Sequence, residues 1–221
     1  MLDFSFDFMF HWLSITVWPE EGKDVINLCR NVLNSSIVGC DLVAMGHGGQ
    51  GYDNIDIWNG VRLYYGGNDG TVSIVISGEW VSSWNLGELR GFIEYFKDNG
   101  LRWRCSRLDL AFDVEPDKMD INTVFDAVSS REYVCRAQNR GAYIDFGSDE
   151  KTITLGSRPS ERYMRIYNRR GYVRFELEVK GKAAGFIGAL LLDADSLSAY
   201  HKVVPLAVGV LKDYVRFVIK D

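Results

Sequence analysis

The chain has 221 residues, 47% apolar and 25% charged, enough for one large domain with a sizeable core or for two small ones. Its net charge of −5 argues against a protein that coats nucleic acid indiscriminately, and no apolar run reaches the roughly 20 residues of a membrane-spanning helix. Cys29, Cys40, Cys105 and Cys135 form no C-x-x-C pair, so a reduced, cytoplasmic protein without a zinc cage is expected.

The opening "MLDFSFDFMFHWL" carries two aspartates and no basic leader, so it does not read as a signal peptide. "WLSITVW" (12–18) alternates, is β-branched and reads as a strand closed by Pro19. Residues 20–33 place Val25, Ile26, Cys29, Val32 and Leu33 on one helical stripe. Between 40 and 80, "CDLVAM", "VRLYYGG" and "TVSIVISG" are strand-like runs separated by Gly-rich turns, the pattern of an antiparallel meander. Gly46, Gly48 and Gly51 spell a formal G-x-G-x-x-G, but "YDNIDIW" after it is not helical, so a dinucleotide site is rejected. Residues 85–100 read as a helix with Asn85 as N-cap and Gly100 as its stop.

The order then recurs. "SRLDLAFDV" (106–114) is a strand, 120–134 begins like a capped helix, and "GAYIDFG", "KTITLGS", "RYMRIYN" and "YVRFELEV" are further strands. Helices follow through 183–219, with "AAGFIGALLL" (183–192) suited to burial and Pro205 marking a break. The expected fold is α+β: antiparallel sheet with helices packed on one side. One domain over 1–221 is expected, with related strand–helix–meander halves over 1–100 and 101–221.

Chemistry concentrates in the second half. From Arg158 to Lys182 eight Lys/Arg face three glutamates, a local balance of +5 that suits a localised phosphate contact. Alternation puts Arg107, Asp109, Ala111 and Asp113 on one face of their strand, where two carboxylates need either water or a cation between them. It likewise groups Tyr163, Arg165 and Tyr167 on the next strand, and Arg174, Glu176, Glu178 and Lys180 on the last. The "NRRG" turn joins those two strands and lays their polar faces side by side. Hard oxygen ligands of this kind suit Mg2+ or Mn2+, and a tyrosine hydroxyl beside a bound phosphate suits transesterification.

"WLSITV", "VSIVISG", "RLDLAFD", "TITLGSRPSERYMRIYNRR" and "VRFELEVKGKAA" together resemble the replication initiation factor family over about residues 12–185. That family comprises rolling-circle initiators of plasmids and phages and related relaxases of conjugative elements. The resemblance implies an endonuclease that nicks and rejoins one DNA strand at an origin through a 5′-phosphotyrosyl intermediate, assisted by Mg2+ or Mn2+. It implies Tyr167 as nucleophile and Arg158 and Arg165 on phosphate, Arg165 within the catalytic set; Arg169, Arg170, Arg174 and Lys180 of the same basic segment are expected as further DNA contacts. Asp109 and Glu176 would be the leading metal or general-base carboxylates, Asp113 and Glu178 the second pair, and Tyr163 the rival nucleophile. Implied partners are origin DNA, a host helicase and a second copy of the chain, in the cytoplasm of a prokaryotic host and without a membrane.

The sequence departs from the family pattern at Thr154, where tyrosine is common, and at Arg169, where lysine is common. Its connection between nucleophile and carboxylate strands is short, which places origin recognition in question more than chemistry. The histidines, His11, His47 and His201, are far apart in sequence and form no His–hydrophobic–His metal motif. Two other readings are an origin-binding regulator without catalysis and a hydrolase using Asp109 and Glu176 as acid and base.

Overall fold

The structure is a computed structural model and describes residues 6–36, 43–45, 47–58, 60–136, 142–145 and 151–217. In the first half, β1 (Phe6–Val17) leads to α1 (Val25–Ser36). A meander of β2 (Val43–Met45), β3 (Tyr52–Trp58), β4 (Val61–Gly67) and β5 (Val72–Ile76) follows, then α2 (Gly78–Ser83) and α3 (Leu86–Asp98). In the second half, β6 (Trp103–Val114) leads to α4 (Ile121–Ser129) and the short β7 (Tyr133–Cys135). The meander β8 (Ala142–Asp145), β9 (Lys151–Leu155), β10 (Arg162–Arg169) and β11 (Tyr172–Lys180) follows, then α5 (Gly181–Leu191), α6 (Tyr200–Tyr214) and β12 (Val215–Phe217).

Ten strands form one antiparallel sheet in the order β2-β3-β4-β5-β1-β6-β11-β10-β9-β8. Outward from the β1/β6 seam the order is the same on both sides: first strand, then the meander from its last strand to its first. β7 and β12 pair separately.

Alternation builds the core on one face. Leu13, Ile15 and Val17 of β1, Leu108, Leu110, Phe112 and Val114 of β6, and Val173, Phe175, Leu177 and Val179 of β11 are buried together. Onto them pack Cys29 and Leu33 of α1, Phe92 and Phe96 of α3, Ile187 and Leu191 of α5, and Val203 and Ala207 of α6. Removing this much apolar surface from water is the principal drive to fold. The opposite face carries the charged rows of the second half and, in the first half, a small apolar cluster of Tyr52, Ile55, Tyr64 and Val75 with Trp12 against it.

Several expectations shift. The first strand begins at Phe6 and the first helix at Val25. The helix expected over 120–134 stops at Ser129, because Arg131 turns left-handed (φ 59°) and the amides of Arg131 and Glu132 close on the carbonyls of Val128 and Ala127. Residues 133–135 then form β7 rather than helix. Pro205 does not break a helix: it lies within the first turns of α6, which runs through it. Helix α3 matches its signals, with a capping box between Asn85 and Glu88. Gly46, Cys40 and the outer residues of "CDLVAM" and "GAYIDFG" lie outside the described residues. No described helix is long and apolar enough to cross a membrane.

Candidate active site

The β10–β11 hairpin sets the site. Arg170 and Gly171 form its two-residue turn with φ of 49° and 86°, both in the left-handed region that a twist-matched tight hairpin requires and that Gly171 adopts without strain. The register opposes Tyr163 to Glu178, Arg165 to Glu176 and Tyr167 to Arg174. β11 pairs in turn with β6, opposing Glu178 to Asp109 and Arg174 to Asp113. The carboxylate strand is therefore the immediate neighbour of β11, and the polar rows of three strands lie side by side.

Tyr167 Oη donates to Glu176 Oε2 at 2.5 Å, and Arg165 Nη2 donates to Glu176 Oε1 at 2.7 Å. Asp109 accepts both Nε and Nη2 of Arg107, at 2.9 and 2.7 Å, and lies 3.9 Å from Arg165. Arg107 also reaches Glu178 at 2.8 Å, and Lys180 holds the other oxygen of Glu178 at 2.7 Å. Arg174 is 4% exposed and grips Asp113 with Nε and Nη2, both at 2.6 Å. Its buried ion pair gives it a partner inside the protein. Arg158 and Arg170 are exposed and Arg169 half-buried at the hairpin margin, while the Arg158 carbonyl accepts from Lys180 Nζ. Of the two tyrosines, Tyr167 is half-buried and Tyr163 only 7% exposed, so Tyr167 is the more accessible residue.

A residue set aside in the sequence joins this group. β1 and β6 slip by one residue between Phe10↔Leu110 and Trp12↔Asp109, leaving His11 as the extra residue of a bulge. Phe8 and Phe10 before it and Leu13 and Ile15 after it all keep to the core, so His11 and Trp12 both leave it for the site. His11 Nδ1 lies 3.2 Å from Glu176 Oε1, and with that carboxylate ionised the ring nitrogen is the donor. Gly78, at the start of α2, makes room for the ring: a Cβ there would stand 2.7 Å from His11 Nε2. The Trp12 ring lies under the Arg107 guanidinium at 4.3 Å. The sequence signal for His11 is the change of parity around it, from Phe6, Phe8 and Phe10 to Leu13, Ile15 and Val17, blurred by the apolar Trp12.

These contacts divide the carboxylates. Burial alone would raise Glu176, but hydrogen bonds from His11 and Tyr167 and the Arg165 charge outweigh it and hold the carboxyl at about 2. Burial pushes Asp109 up to about 6, with Glu176 and Glu178 adding to it against Arg107. Arg107 is itself raised, its own burial being outweighed by Asp109; at 27% exposed against 1%, it loses less hydration than its partner. Burial, then the hydrogen bond to Glu176 and that carboxylate's charge, push the Tyr167 hydroxyl up to about 12, so it is neutral and not yet a nucleophile. Beside it, Arg165 Nε and Arg174 Nη1 are buried without a hydrogen-bond partner. Donors of that kind need an acceptor that the protein's own side chains do not supply, a water or a bound group.

The carboxylates do not form a ready cation site. Each of the eight oxygens of Asp109, Asp113, Glu176 and Glu178 meets a guanidinium, ammonium, imidazole or hydroxyl donor. Among the described residues no group of three or more His, Cys, Asp or Glu side chains converges to hold a metal ion. Mg2+ or Mn2+ would have to displace Arg107 from Asp109 or Arg165 from Glu176.

No family model matches the chain, and no curated protein sequence matches it. Among solved structures, its fold is similar to that of the rolling circle replication initiator protein from Geobacillus stearothermophilus: TM-score 0.73 at 18% identity, over 98% of this chain and 88% of that one. An aspartate kinase from Clostridium acetobutylicum (12% identity, 80% of this chain and 30% of that one) superposes only at a TM-score of 0.25, too poorly to bear on the fold.

Proposed function

We propose that the protein nicks and rejoins one strand of DNA at a replication origin, as a rolling-circle initiator does, with Tyr167 as nucleophile. One observation carries the reading: a tyrosine hydroxyl hydrogen-bonded to a carboxylate, flanked by two buried guanidinium N–H groups with no acceptor. A phosphodiester supplies that acceptor once the two guanidinium groups, enclosed here, turn toward it. The similarity of fold to the Geobacillus initiator supports the same reaction class. A relaxase of a conjugative element shares this chemistry and differs in the DNA it serves.

In this mechanism the scissile phosphate settles against Arg165 and Arg174. As Arg165 turns part of its charge to the phosphate, its hold on Glu176 weakens and the carboxylate regains basicity. Tyr167 Oη then attacks phosphorus while its proton passes to Glu176 Oε2. The phosphorus–O3′ bond breaks, the 3′ oxygen takes a proton from water and leaves as a free hydroxyl, Glu176 returns its proton to solvent, and the 5′ phosphate stays on Tyr167. The guanidinium groups offset the charge that builds on the phosphoryl oxygens. Rejoining is the reverse attack by a 3′-OH. Arg158, Arg169, Arg170 and Lys180 at the hairpin margin take neighbouring phosphates, while Arg174 serves the reacting one. A host helicase and a second copy of the chain are partners proposed on the family resemblance alone.

The test is a denaturant-stable adduct between the protein and a single strand carrying the origin of its own replicon, with and without Mn2+. The adduct is expected from the wild-type protein and lost in Tyr167→Phe. An undiminished adduct in that variant would overturn the assignment of the nucleophile. Salt-sensitive binding with no adduct under any condition would instead favour the regulator.

A further inference from the structure

The two halves of the sheet carry corresponding rows. Both first strands run into a Pro-containing acidic turn and an aspartate that caps the next helix: Trp18-Pro19-Glu20 before Asp24, and Glu115-Pro116-Asp117 before Asp120. Setting Val17 against Val114 on that basis fixes the rest by strand pairing. The row Asp113–Arg174–Tyr167 then corresponds to Thr16–Ser73–Tyr64. The row Ala111–Glu176–Arg165 corresponds to Ser14–Val75–Arg62. Arg62-Leu63-Tyr64 is thus the first-half counterpart of Arg165-Ile166-Tyr167 on the same face of the sheet.

The counterpart keeps the arginine and the tyrosine but no carboxylate. Where the second half has Asp113 and Glu176, the first has Thr16 and Val75. The charge consequence is opposite in the two places. Arg107, Arg165 and Arg174 each sit on a carboxylate, whereas Arg62 has no ion-pair or hydrogen-bond partner among the described residues. Arg62, Thr16 and Trp12 are half-buried at the surface of this patch, over a floor of buried Tyr64, Val75 and Tyr52. A nucleophile needs a base, and Tyr64, 9% exposed and without a carboxylate opposite it, has none. An uncompensated guanidinium beside hydroxyls and aromatic edges fits a different task, which is to hold a phosphodiester without reacting with it.

We propose that Arg62, with Thr16 and the edge of Trp12, is a non-catalytic subsite for the backbone of the single strand whose scissile phosphate lies at Tyr167. The patch is continuous with the active site: Trp12 is opposite Asp109 and stacks on Arg107. Five strand spacings, from β4 to β10, separate Arg62 from Arg165 by about 24 Å across the sheet, and the antiparallel β1/β6 register, with Ser14 opposite Arg107 and Ala111 opposite Met9, adds about 13 Å along the strands. A strand of several nucleotides laid obliquely over the sheet reaches from one arginine to the other. The inference rests on the nicking reading for the position of the reacting phosphate, and on its own geometry for the subsite.

The experiment measures binding of a fluorescein-labelled oligothymidylate of 20 nucleotides by anisotropy across a salt series, alongside single-turnover adduct formation at saturating origin strand. Arg62→Gln is expected to weaken oligothymidylate binding about tenfold, as loss of a charge-assisted contact does, and to lower the salt slope by about 0.7, as loss of one single-strand phosphate contact does. Arg62→Lys should keep the slope, and Arg90→Gln, on the outer face of α3, should change neither. The adduct rate at saturation should be unaltered in all three. Unchanged affinity and slope in Arg62→Gln would overturn the subsite, as would failure of the wild-type protein to bind the oligonucleotide. The two readings separate cleanly. Weakened binding in Arg62→Gln without any adduct in the wild type removes the nicking reading alone, and a Tyr167-dependent adduct with a neutral Arg62→Gln removes the subsite alone.

Discussion

Glu176 shares its carboxylate between two strands that meet only in three dimensions: Oε1 takes Nδ1 of His11 at 3.2 Å, and Oε2 takes the hydroxyl of Tyr167 at 2.5 Å. The carboxylate acts on the tyrosine in two opposed ways. Its charge helps to hold the hydroxyl proton in place, and its oxygen is where that proton must go. Replacing it separates the two. If the charge effect dominated, Glu176→Gln would speed the adduct. The proposed base makes the rate fall, by about 10²–10⁴-fold for a lost general base. Single-turnover adduct formation at saturating DNA reads the sign directly, and binding of the strand should change little.

His11 reaches Glu176 only because β1 bulges, and its ring is confined by Gly78. His11→Ala should slow the adduct about tenfold by freeing Glu176 to turn out of line with Tyr167, a loss that outweighs the basicity Glu176 gains without this donor, with little effect on DNA binding. His11→Asn, which keeps a donor near Nδ1, should recover most of the loss; His11→Gln, whose donor lies further out, should recover less. Gly78→Ala should reproduce the His11→Ala defect, since its methyl would stand against the ring. A Gly78→Ala protein with wild-type adduct rates would show that the ring's position does not matter.

The hairpin that holds the site was legible from alternation and turn chemistry alone, because a period of two assigns every side chain to a face and "NRRG" fixes the register. The neighbouring carboxylate strand was legible as a strand, but its place beside β11 was not, since nothing local says that the first strand of the half pairs with its last. His11 was lost for a related reason. One inserted residue reverses the facing of everything before it, and the sequence marks it only by the change from even to odd apolar positions, which Trp12 blurs. β7 was hidden because the chain leaves α4 through a left-handed arginine rather than a glycine. Pro205 misled because a proline near a helix start loses few hydrogen bonds. The recurrence of Arg-Leu-Tyr and Arg-Ile-Tyr was in plain view, and took on meaning only when strand pairing put both at corresponding positions.

Asp109 gives the fold a distinct acid response. Its carboxyl moves from 3.8 to about 6 on folding, so the folded state binds the proton more tightly than the unfolded one. Its stabilising contribution is fully present below pH 3.8 and is lost as pH rises through about 6, a difference of up to about 3 kcal/mol. Glu176 acts in the opposite sense and lower down: its contribution is present above 4.5 and is lost as pH falls toward about 2. Urea titrations at pH 4.5, 5.5 and 6.5 should show Asp109→Asn losing less stability across that range than the wild type does. A parallel fall in both proteins would remove Asp109 as the source.

Arg174 and Asp113 are the buried pair of the site, 4% and 8% exposed and joined by two 2.6 Å hydrogen bonds. Burying either charge alone is costly, and their attraction recovers that cost only while both are present. Arg174→Met leaves Asp113 without its cation and should destabilise the protein by about 3–5 kcal/mol, measured by chemical denaturation at pH 7. Adding Asp113→Leu removes the stranded charge, and the double variant should regain most of that loss. Activity should not follow stability. The double variant still lacks the guanidinium proposed for the scissile phosphate, so it should fold and form no adduct above about a hundredth of the wild-type rate. A double variant that folds and also nicks would reduce Arg174 to a structural partner of Asp113 and leave Arg165 as the only guanidinium acting on the reacting phosphate.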